Sequence, residues 1–88
     1  MPEPEWRIVL LRPARRYLDR LPPDEQQRVL DALADLERDP FGAQVKPLKG
    51  RPEWSLRVGE LRVLLRVDRE AKQLVVTLIA PRGDVYKR

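Results

Sequence analysis

Arg57 and Arg62 lie on either side of Gly59-Glu60, a pair of residues that suits a two-residue hairpin turn because glycine adopts positive φ without strain. Counting outward from this turn places the two arginines opposite each other on neighbouring strands, with Arg66 further along the same face. Like charges directly opposite each other destabilise a sheet, so the pair predicts an anion site where a phosphate offsets the repulsion. The alternative is a solvated strand face whose long arginine side chains diverge into water.

The C-terminal segment adds a tyrosine to these cations. Arg82 directly follows the last predicted strand, and Tyr86 comes four residues later. Positive charge around Tyr86 would favour its phenolate, which can take the proton of a ribose 2′-hydroxyl; its ring could also stack on a base. A ring that only packs the tail against the sheet is the structural alternative.

The absence of two residue types limits the chemistry. The 88 residues include no histidine and no cysteine. Imidazole metal sites, a histidine general base, disulfides and thiolate sites are therefore excluded. An enzyme built from this chain must use Tyr, Lys, Arg, Asp or Glu, and we expect no metal and no cofactor.

Charge is distributed unevenly along the chain. The net charge is +4, but residues 1–45 carry seven arginines and nine acidic residues, whereas residues 46–88 carry eleven basic and five acidic ones. The basic half predicts a polyanionic partner, although an arginine-rich surface without a partner is equally compatible. With no apolar run of about 18 residues and no signal peptide, we expect a cytoplasmic protein that does not enter membranes.

Hydrophobic periodicity and turn residues give the order strand, helix, helix and three further strands, with a Gly- and Pro-containing loop before the last three. This order predicts an α+β fold, a helical hairpin packed on a small, mainly antiparallel four-stranded sheet, as a single domain over residues 1–88. The predicted strands are Trp6–Leu11, Trp54–Val58, Leu61–Val67 and Leu74–Ala80, the helices Ala14–Leu21 and Asp24–Asp39, and the loop Phe41–Pro52.

The hairpin count also predicts which side chains enter the core. One face of the two strands carries apolar side chains only, so it must pack against the helices. Its predicted members are Trp54, Leu56, Val58, Leu61, Val63, Leu65 and Val67.

Two motifs resemble those of a known family. The string P-L-K-G-R-P-E-W-S-L-R-V-G-E-L-R-V-L-L-R-V, from Pro47 to Val67, is similar to the central motif of the RelE/ParE toxin superfamily. The ending P-R-G-D-V-Y, from Pro81 to Tyr86, is similar to the closing motif of these toxins. The break near Leu21 and the Asp39-Pro40 helix end also match, so the resemblance spans nearly the whole chain.

The resemblance implies a RelE-like mRNA interferase, the toxin of a type II toxin–antitoxin system. Such toxins are ribosome-dependent, metal-independent endoribonucleases that cleave mRNA in the A site by attack of a 2′-hydroxyl on the phosphate. Matched to the family motifs, the catalytic residues are Arg57, Arg62, Arg82 and Tyr86. Further cations are expected to bind RNA: Lys46, Lys49, Arg51, Arg66, Lys87 and Arg88.

Two departures from the family pattern bear on activity. Ser55 stands where well-known ribonuclease members carry a lysine, and Ala80 where they carry another arginine. Each missing charge costs about 10²–10³ in rate unless Lys49, Arg51 or Arg66 substitutes for it. A ParE-like, non-enzymatic inhibitor of DNA gyrase and an attenuated member that only binds its antitoxin remain alternatives. Tyr86 and Arg62 favour the RelE type.

Under each of these alternatives we expect a cognate antitoxin with an acidic, partly disordered segment that covers the helices or the basic face. The oligomeric state of the chain stays open.

Overall fold

A computed structural model describes residues 6–39, 45–48, 50 and 53–81. Two helices pack on one face of a five-stranded sheet with the strand order β1-β5-β4-β3-β2. This confirms the predicted α+β class. The elements are β1 (Arg7–Leu10), α1 (Arg12–Arg20), α2 (Pro23–Arg38), β2 (Val45–Pro47), β3 (Trp54–Val58), β4 (Leu61–Asp68) and β5 (Gln73–Pro81).

Prolines set the starts of both helices. Pro13 lies in the first turn of α1 and Pro23 in that of α2, where a missing N–H leaves no hydrogen bond unmade. The Gln26 side chain of α2 donates a hydrogen bond of 3.2 Å to the carbonyl of Leu18, in the last turn of α1. This bond satisfies a C-terminal carbonyl and ties the two helices together. No helix in the described part of the chain is long and apolar enough to span a membrane.

The sheet differs from the prediction in one strand. Strands β3, β4 and β5 form the predicted antiparallel meander, and β1 pairs in parallel with β5 at one edge. Val45–Pro47, predicted as part of the Phe41–Pro52 loop, pairs with β3 as β2 and makes the sheet five-stranded rather than four-stranded. Pro47 is tolerated there because β2 is an edge strand, where a missing donor costs no ladder bond.

The core lies between the helices and the inner face of the sheet, as predicted. Leu56, Val63 and Leu65 are almost completely buried, and Trp54 and Val67 pack against the core from its rim. Helices α1 and α2 contribute Ala14, Leu18, Val29, Leu33 and Leu36. All seven apolar residues predicted for this face are therefore confirmed in the core or at its rim.

An extra residue interrupts β5. Leu64 pairs with Leu78 but Leu65 pairs with Val76, so Thr77 is a bulge residue opposite β4. Its hydroxyl lies 3.4 Å from the carbonyl oxygen of Leu64 and donates a hydrogen bond to it. The bulge explains why the buried residues of β5 switch from a spacing of two, at Leu74 and Val76, to a spacing of three at Ile79.

Candidate functional site

The β3–β4 turn fixes the register of the candidate site. Gly59 has φ +56°, and Lys72 is the one other residue with positive φ between residues 53 and 81. Positive φ at the first central residue alone defines a type II′ turn, a form of the predicted two-residue hairpin turn. Val58 pairs with Leu61 and Arg57 with Arg62, which confirms the predicted opposition of the two arginines.

The two arginines lie on the outer face, the face of the sheet away from the helices. Val58 and Leu61 close the two-residue turn as a hydrogen-bonded pair, so Arg57 and Arg62 form the next, non-hydrogen-bonded pair. Side chains approach more closely at such pairs than at hydrogen-bonded ones. The arrangement therefore concentrates two positive charges next to each other on neighbouring strands.

Ser55 determines how this repulsion is accommodated. Its side chain is 3% exposed, and its Oγ accepts a hydrogen bond of 3.0 Å from Nη1 of Arg62. Arg62 is half-buried and directed along the strands towards Ser55, whereas Arg57 is exposed. The pair therefore does not form a uniformly solvated face, because Ser55 holds Arg62 against the sheet while Arg57 is exposed.

Lys46 joins the site through the strand that the sequence did not predict. It is the register partner of Ser55 on β2, so its exposed side chain leaves the sheet on the same face as Arg62 and Arg57. Directly opposed residues have Cβ atoms about 5 Å apart. Lys46, Arg57 and Arg62, which surround Ser55, are called the cation cluster below.

Arg66 lies on the same face but is separated from the cluster by Leu64. Its Nε lies 3.6 Å from a carboxylate oxygen of Glu53, with the two side chains 62% and 19% exposed. This ion pair compensates part of the Arg66 charge, which makes it a weaker substitute for a missing cation than Lys46. Arg66 and Glu53 border an open groove of about 810 Å³. The other residues that line it are Leu11, Val67, Asp68, Arg69, Glu70, Val75 and Thr77.

Ala80 occupies the position beside Arg62 on β5. The two residues are register partners, so a side chain at position 80 leaves the sheet beside Arg62 on the same face. Position 80 therefore lies on the outer face. Ribonuclease relatives were expected to carry another arginine there, whereas this chain has only the methyl group of Ala80.

Six predicted site residues lie outside the described residues. They are Lys49, Arg51, Arg82, Tyr86, Lys87 and Arg88. The base role of Tyr86 and the phosphate contact of Arg82 therefore stay predictions.

Sequence reasoning missed the contact between Ser55 and Arg62. Counting outward from the turn also places position 55 opposite Leu64, two residues along β4 from Arg62, so Ser55 and Arg62 could have been recognised as diagonal neighbours on one face. Ser55 was noted only for the lysine that it replaces.

Fold and site define a small basic α+β protein with helices on one face of its sheet and a cluster of cationic side chains on the other. No family profile matches the chain. It is 37% identical over 78 residues to the toxin RelG of Mycobacterium tuberculosis, a match that covers 85% of this chain and 88% of that protein. The chain therefore belongs to the RelE-like superfamily of toxins, as its two motifs predict.

Solved structures agree with this assignment. The toxin–antitoxin complex RelBE2 of Mycobacterium tuberculosis contains a chain with a TM-score of 0.78 and 31% identity, covering 88% of this chain and 98% of that one. The archaeal RelE–RelB complex of Pyrococcus horikoshii gives a TM-score of 0.79 and 25% identity, covering 90% and 97%. Both alignments include almost all of the matched chain, so the RelE-like fold is shared as a whole.

Proposed function

We propose that this chain is the toxin of a type II toxin–antitoxin pair and that it cleaves ribosome-bound mRNA in the A site. The observation that carries the proposal is the opposed pair Arg57 and Arg62 on the sheet face away from the helices, with Arg62 held by Ser55 and Arg57 exposed. Guanidinium groups suit this task because they stay charged and can bind phosphate oxygens in a bidentate manner.

The proposed reaction is an internal transfer at phosphorus. The ribose 2′-oxygen forms a bond to the adjacent phosphorus, the bond to the 5′-oxygen breaks, and the products carry a 2′,3′-cyclic phosphate and a 5′-hydroxyl. Tyr86, as its phenolate, is proposed to take the proton of the 2′-hydroxyl, and the departing 5′-oxygen takes up a proton from water. Arg57, Arg62 and Arg82 stabilise the negative charge that develops on the phosphate oxygens, a contribution that is large when the donors are already in place.

Lys46 bears on the strength of this activity. Ser55 and Ala80 leave two positions without the charges expected in ribonuclease relatives, but Lys46 lies directly opposite Ser55 on the same face. We propose that Lys46 supplies the charge that position 55 lacks, whereas the charge missing at position 80 is not replaced among the described residues. The chain is then a slower ribonuclease than members with the full set of cations.

The proposed partner is an acidic antitoxin. The net charge of +4 gives an acidic segment a favourable surface, and the structurally similar RelBE2 and RelE–RelB structures are toxin–antitoxin complexes. A short acidic reading frame next to the gene for this chain is the expected source of this partner.

Induced expression in bacterial cells tests the proposal. The wild-type chain should arrest growth, and Arg62→Ala and Tyr86→Phe should each relieve the arrest. Arg38→Ala, which removes an exposed arginine at the end of α2, is the control that should remain toxic. Full toxicity of both site variants would contradict the mechanism. Inhibition of gyrase supercoiling by the purified chain, without loss of mRNA, would favour the ParE-like alternative.

A further inference from the structure

Side chains of different chemistry follow one another in rows across the outer face of the sheet. The first row contains Arg57 and Arg62, which the proposed reaction uses. The next row lies two residues, or about 7 Å, further along the strands and is apolar at its centre, because Leu64 pairs there with Leu78. Leu64 is 6% exposed although it lies outside the core cluster, and Leu78 is 38% exposed. An apolar surface therefore directly adjoins the two arginines.

The third row contains a charged pair at the edge of a groove. Oε2 of Glu53 lies 3.6 Å from Nε of Arg66, and both residues border the open groove of about 810 Å³. Its lining also includes the apolar side chains of Leu11, Val67 and Val75. Apolar walls with a few polar groups, at this volume, are typical of sites that bind small molecules or parts of larger ones.

The charges of the groove do not favour an acidic ligand. Three carboxylates and two arginines line it, which gives a net charge of −1. A phosphate or an acidic protein segment is therefore attracted to the cation cluster, with its three positive charges, rather than to the groove. A neutral group with N–H donors, in contrast, can bind the carboxylate oxygens, which are acceptors only.

We infer that this groove binds a base of the RNA strand whose phosphate lies at the cation cluster, and that Glu53 selects guanine. The inference rests on the proposed function and deepens it, since the base belongs to the same substrate strand. A nucleotide has a charged phosphate and a base with apolar faces and a polar edge. Cations, leucines and a charged pair follow one another in that order on the outer face. Proteins that read an unpaired base commonly pack its faces against apolar side chains and bind its Watson–Crick edge through hydrogen bonds.

The charged pair favours guanine among the four bases. The Watson–Crick edge of guanine has two adjacent donors, N1–H and the N2 amino group, which match the two oxygens of a carboxylate. Adenine and cytosine have one amino group next to an acceptor nitrogen, and uracil has one N–H between two carbonyl groups. Each of these three bases would bring an acceptor against Glu53, which cannot donate. Arg66 adds donors for the O6 acceptor of guanine, next to N1.

Binding of four 2′-deoxy pentanucleotides, which cannot be cleaved by 2′-hydroxyl attack, tests the inference. Each has guanine, adenine, cytosine or uracil at its centre and uracil at the other four positions. Fluorescence anisotropy should show that wild type binds the guanine sequence about 10-fold or more tightly than the other three. Glu53→Gln exchanges one acceptor oxygen for a donor and should remove most of this preference. Arg66→Gln should also reduce it, and provides a second test if Glu53→Gln does not fold.

Glu60→Gln is the matched control, because it makes the same chemical change in the β3–β4 turn, outside this groove. Loss of a negative charge should change the affinity of either glutamine variant for all four sequences alike, so the ratio between sequences is the readout. Glu60→Gln should keep the wild-type ratio. The double variant Arg57→Ala and Arg62→Ala should weaken binding of all four sequences and also keep the ratio. Thermal unfolding checks that each variant is folded.

Backbone amide chemical shifts locate the bound base. The guanine sequence should shift the amide signals of Arg66, Val75 and Thr77, which line the groove, more than the all-uracil sequence does. Larger shifts confined to the two helices would place the base elsewhere and contradict the inference. Shifts of the groove amides by a polyglutamate peptide, and not by the guanine sequence, would contradict it by indicating an acidic protein partner.

The binding results separate this inference from the proposed function. Equal binding of the four sequences by wild type would overturn base selection and leave the proposed cleavage untouched. An unchanged preference for guanine in Glu53→Gln and Arg66→Gln would also overturn it, and would indicate that the ion pair only fixes the start of β3. Absence of binding to all four sequences would overturn it as well, whereas cleavage on ribosomes decides the proposed function independently.

Discussion

Ser55 supplies a hydrogen-bond acceptor for Arg62 at a position where a lysine was expected. A lysine at this position would add a cation to the site, whereas the serine hydroxyl, 3% exposed, holds the Arg62 guanidinium through a bond of 3.0 Å. An arginine fixed in advance needs less reorganisation when charge develops on the phosphate, so its stabilising effect is larger than that of a mobile one. Ser55 is therefore a positioning residue for Arg62.

Ser55→Ala should lower kcat for RNA cleavage by about 10-fold or more, with a smaller change in KM, because Arg62 loses its anchor. Ser55→Thr keeps the hydroxyl and should retain most of the activity. The free energy of unfolding should fall by only about 1 kcal/mol in Ser55→Ala, as measured by urea denaturation. In a chain that already carries Arg62→Ala, Ser55→Ala should not lower kcat further. If Ser55→Ala lowers kcat as much in that chain as in the wild type, Ser55 does not act by positioning Arg62.

Ala80→Arg should increase the cleavage rate by about 10-fold or more, because the new guanidinium leaves β5 beside Arg62 on the outer face. Ala80→Gln, which adds length without charge, should not. Single-turnover cleavage of a model mRNA measures both rates. Equal rates for Ala80→Arg and wild type would show that position 80 does not contribute to the reacting phosphate.

The β3–β4 turn holds Arg57 and Arg62 in register. Gly59→Ala should destabilise the chain by about 1–2 kcal/mol, because an L-residue is strained at the φ of +56°. The cost is in the backbone, since a Cβ at position 59 would lie 3.5 Å from Nη1 of Arg28, an ordinary contact. Urea denaturation checks this. Glu60→Ala, in the same turn at negative φ, should be nearly neutral, and equal losses in the two variants would contradict the turn assignment.

The edge strand β1 is held by a side chain of α2. The backbone N–H of Ile8 donates a hydrogen bond of 3.2 Å to Oε2 of Glu37. An edge donor bonded in this way is no longer free to pair with another strand.

Glu37→Ala should lower the free energy of unfolding by about 1–2 kcal/mol and increase aggregation at high protein concentration. Denaturation and light scattering measure the two effects. Asp35→Ala removes a similar charge from the same end of α2 but no bond to β1, so it should cost less. If the two variants lose equal stability, the edge contact is unimportant.

The parts of the fold that the sequence predicts are those that depend on local pattern. The arginine pair followed from one glycine turn and a period of two, and both helices followed from proline positions and apolar spacing. Strand β2 did not, because three residues that include Pro47 acquire strand structure only by pairing with β3. The bulge at Thr77 and the Ser55–Arg62 bond depend on the partner strand and on side-chain direction, which a single strand's pattern does not contain.

Positive charge is divided between the two layers of the protein. The cation cluster occupies the outer face of the sheet, and Arg12, Arg16 and Arg20 of α1 lie on the helical layer, next to the acidic helix α2. A net charge of +4 understates both surfaces, because α2 offsets the charge of α1. We expect the cluster to act on the substrate strand.

Cleavage of mRNA on programmed ribosomes tests whether this chain is a ribosome-dependent ribonuclease. Purified wild-type chain, added to ribosomes with a defined codon in an empty A site, should cut the message within that codon and leave a 2′,3′-cyclic phosphate and a 5′-hydroxyl. Arg62→Ala should reduce the rate by about 10²–10³, and Arg38→Ala should not. Intact message with the wild-type chain would contradict the proposed ribonuclease activity. Equal cleavage by wild type and Arg62→Ala would contradict the proposed role of Arg62.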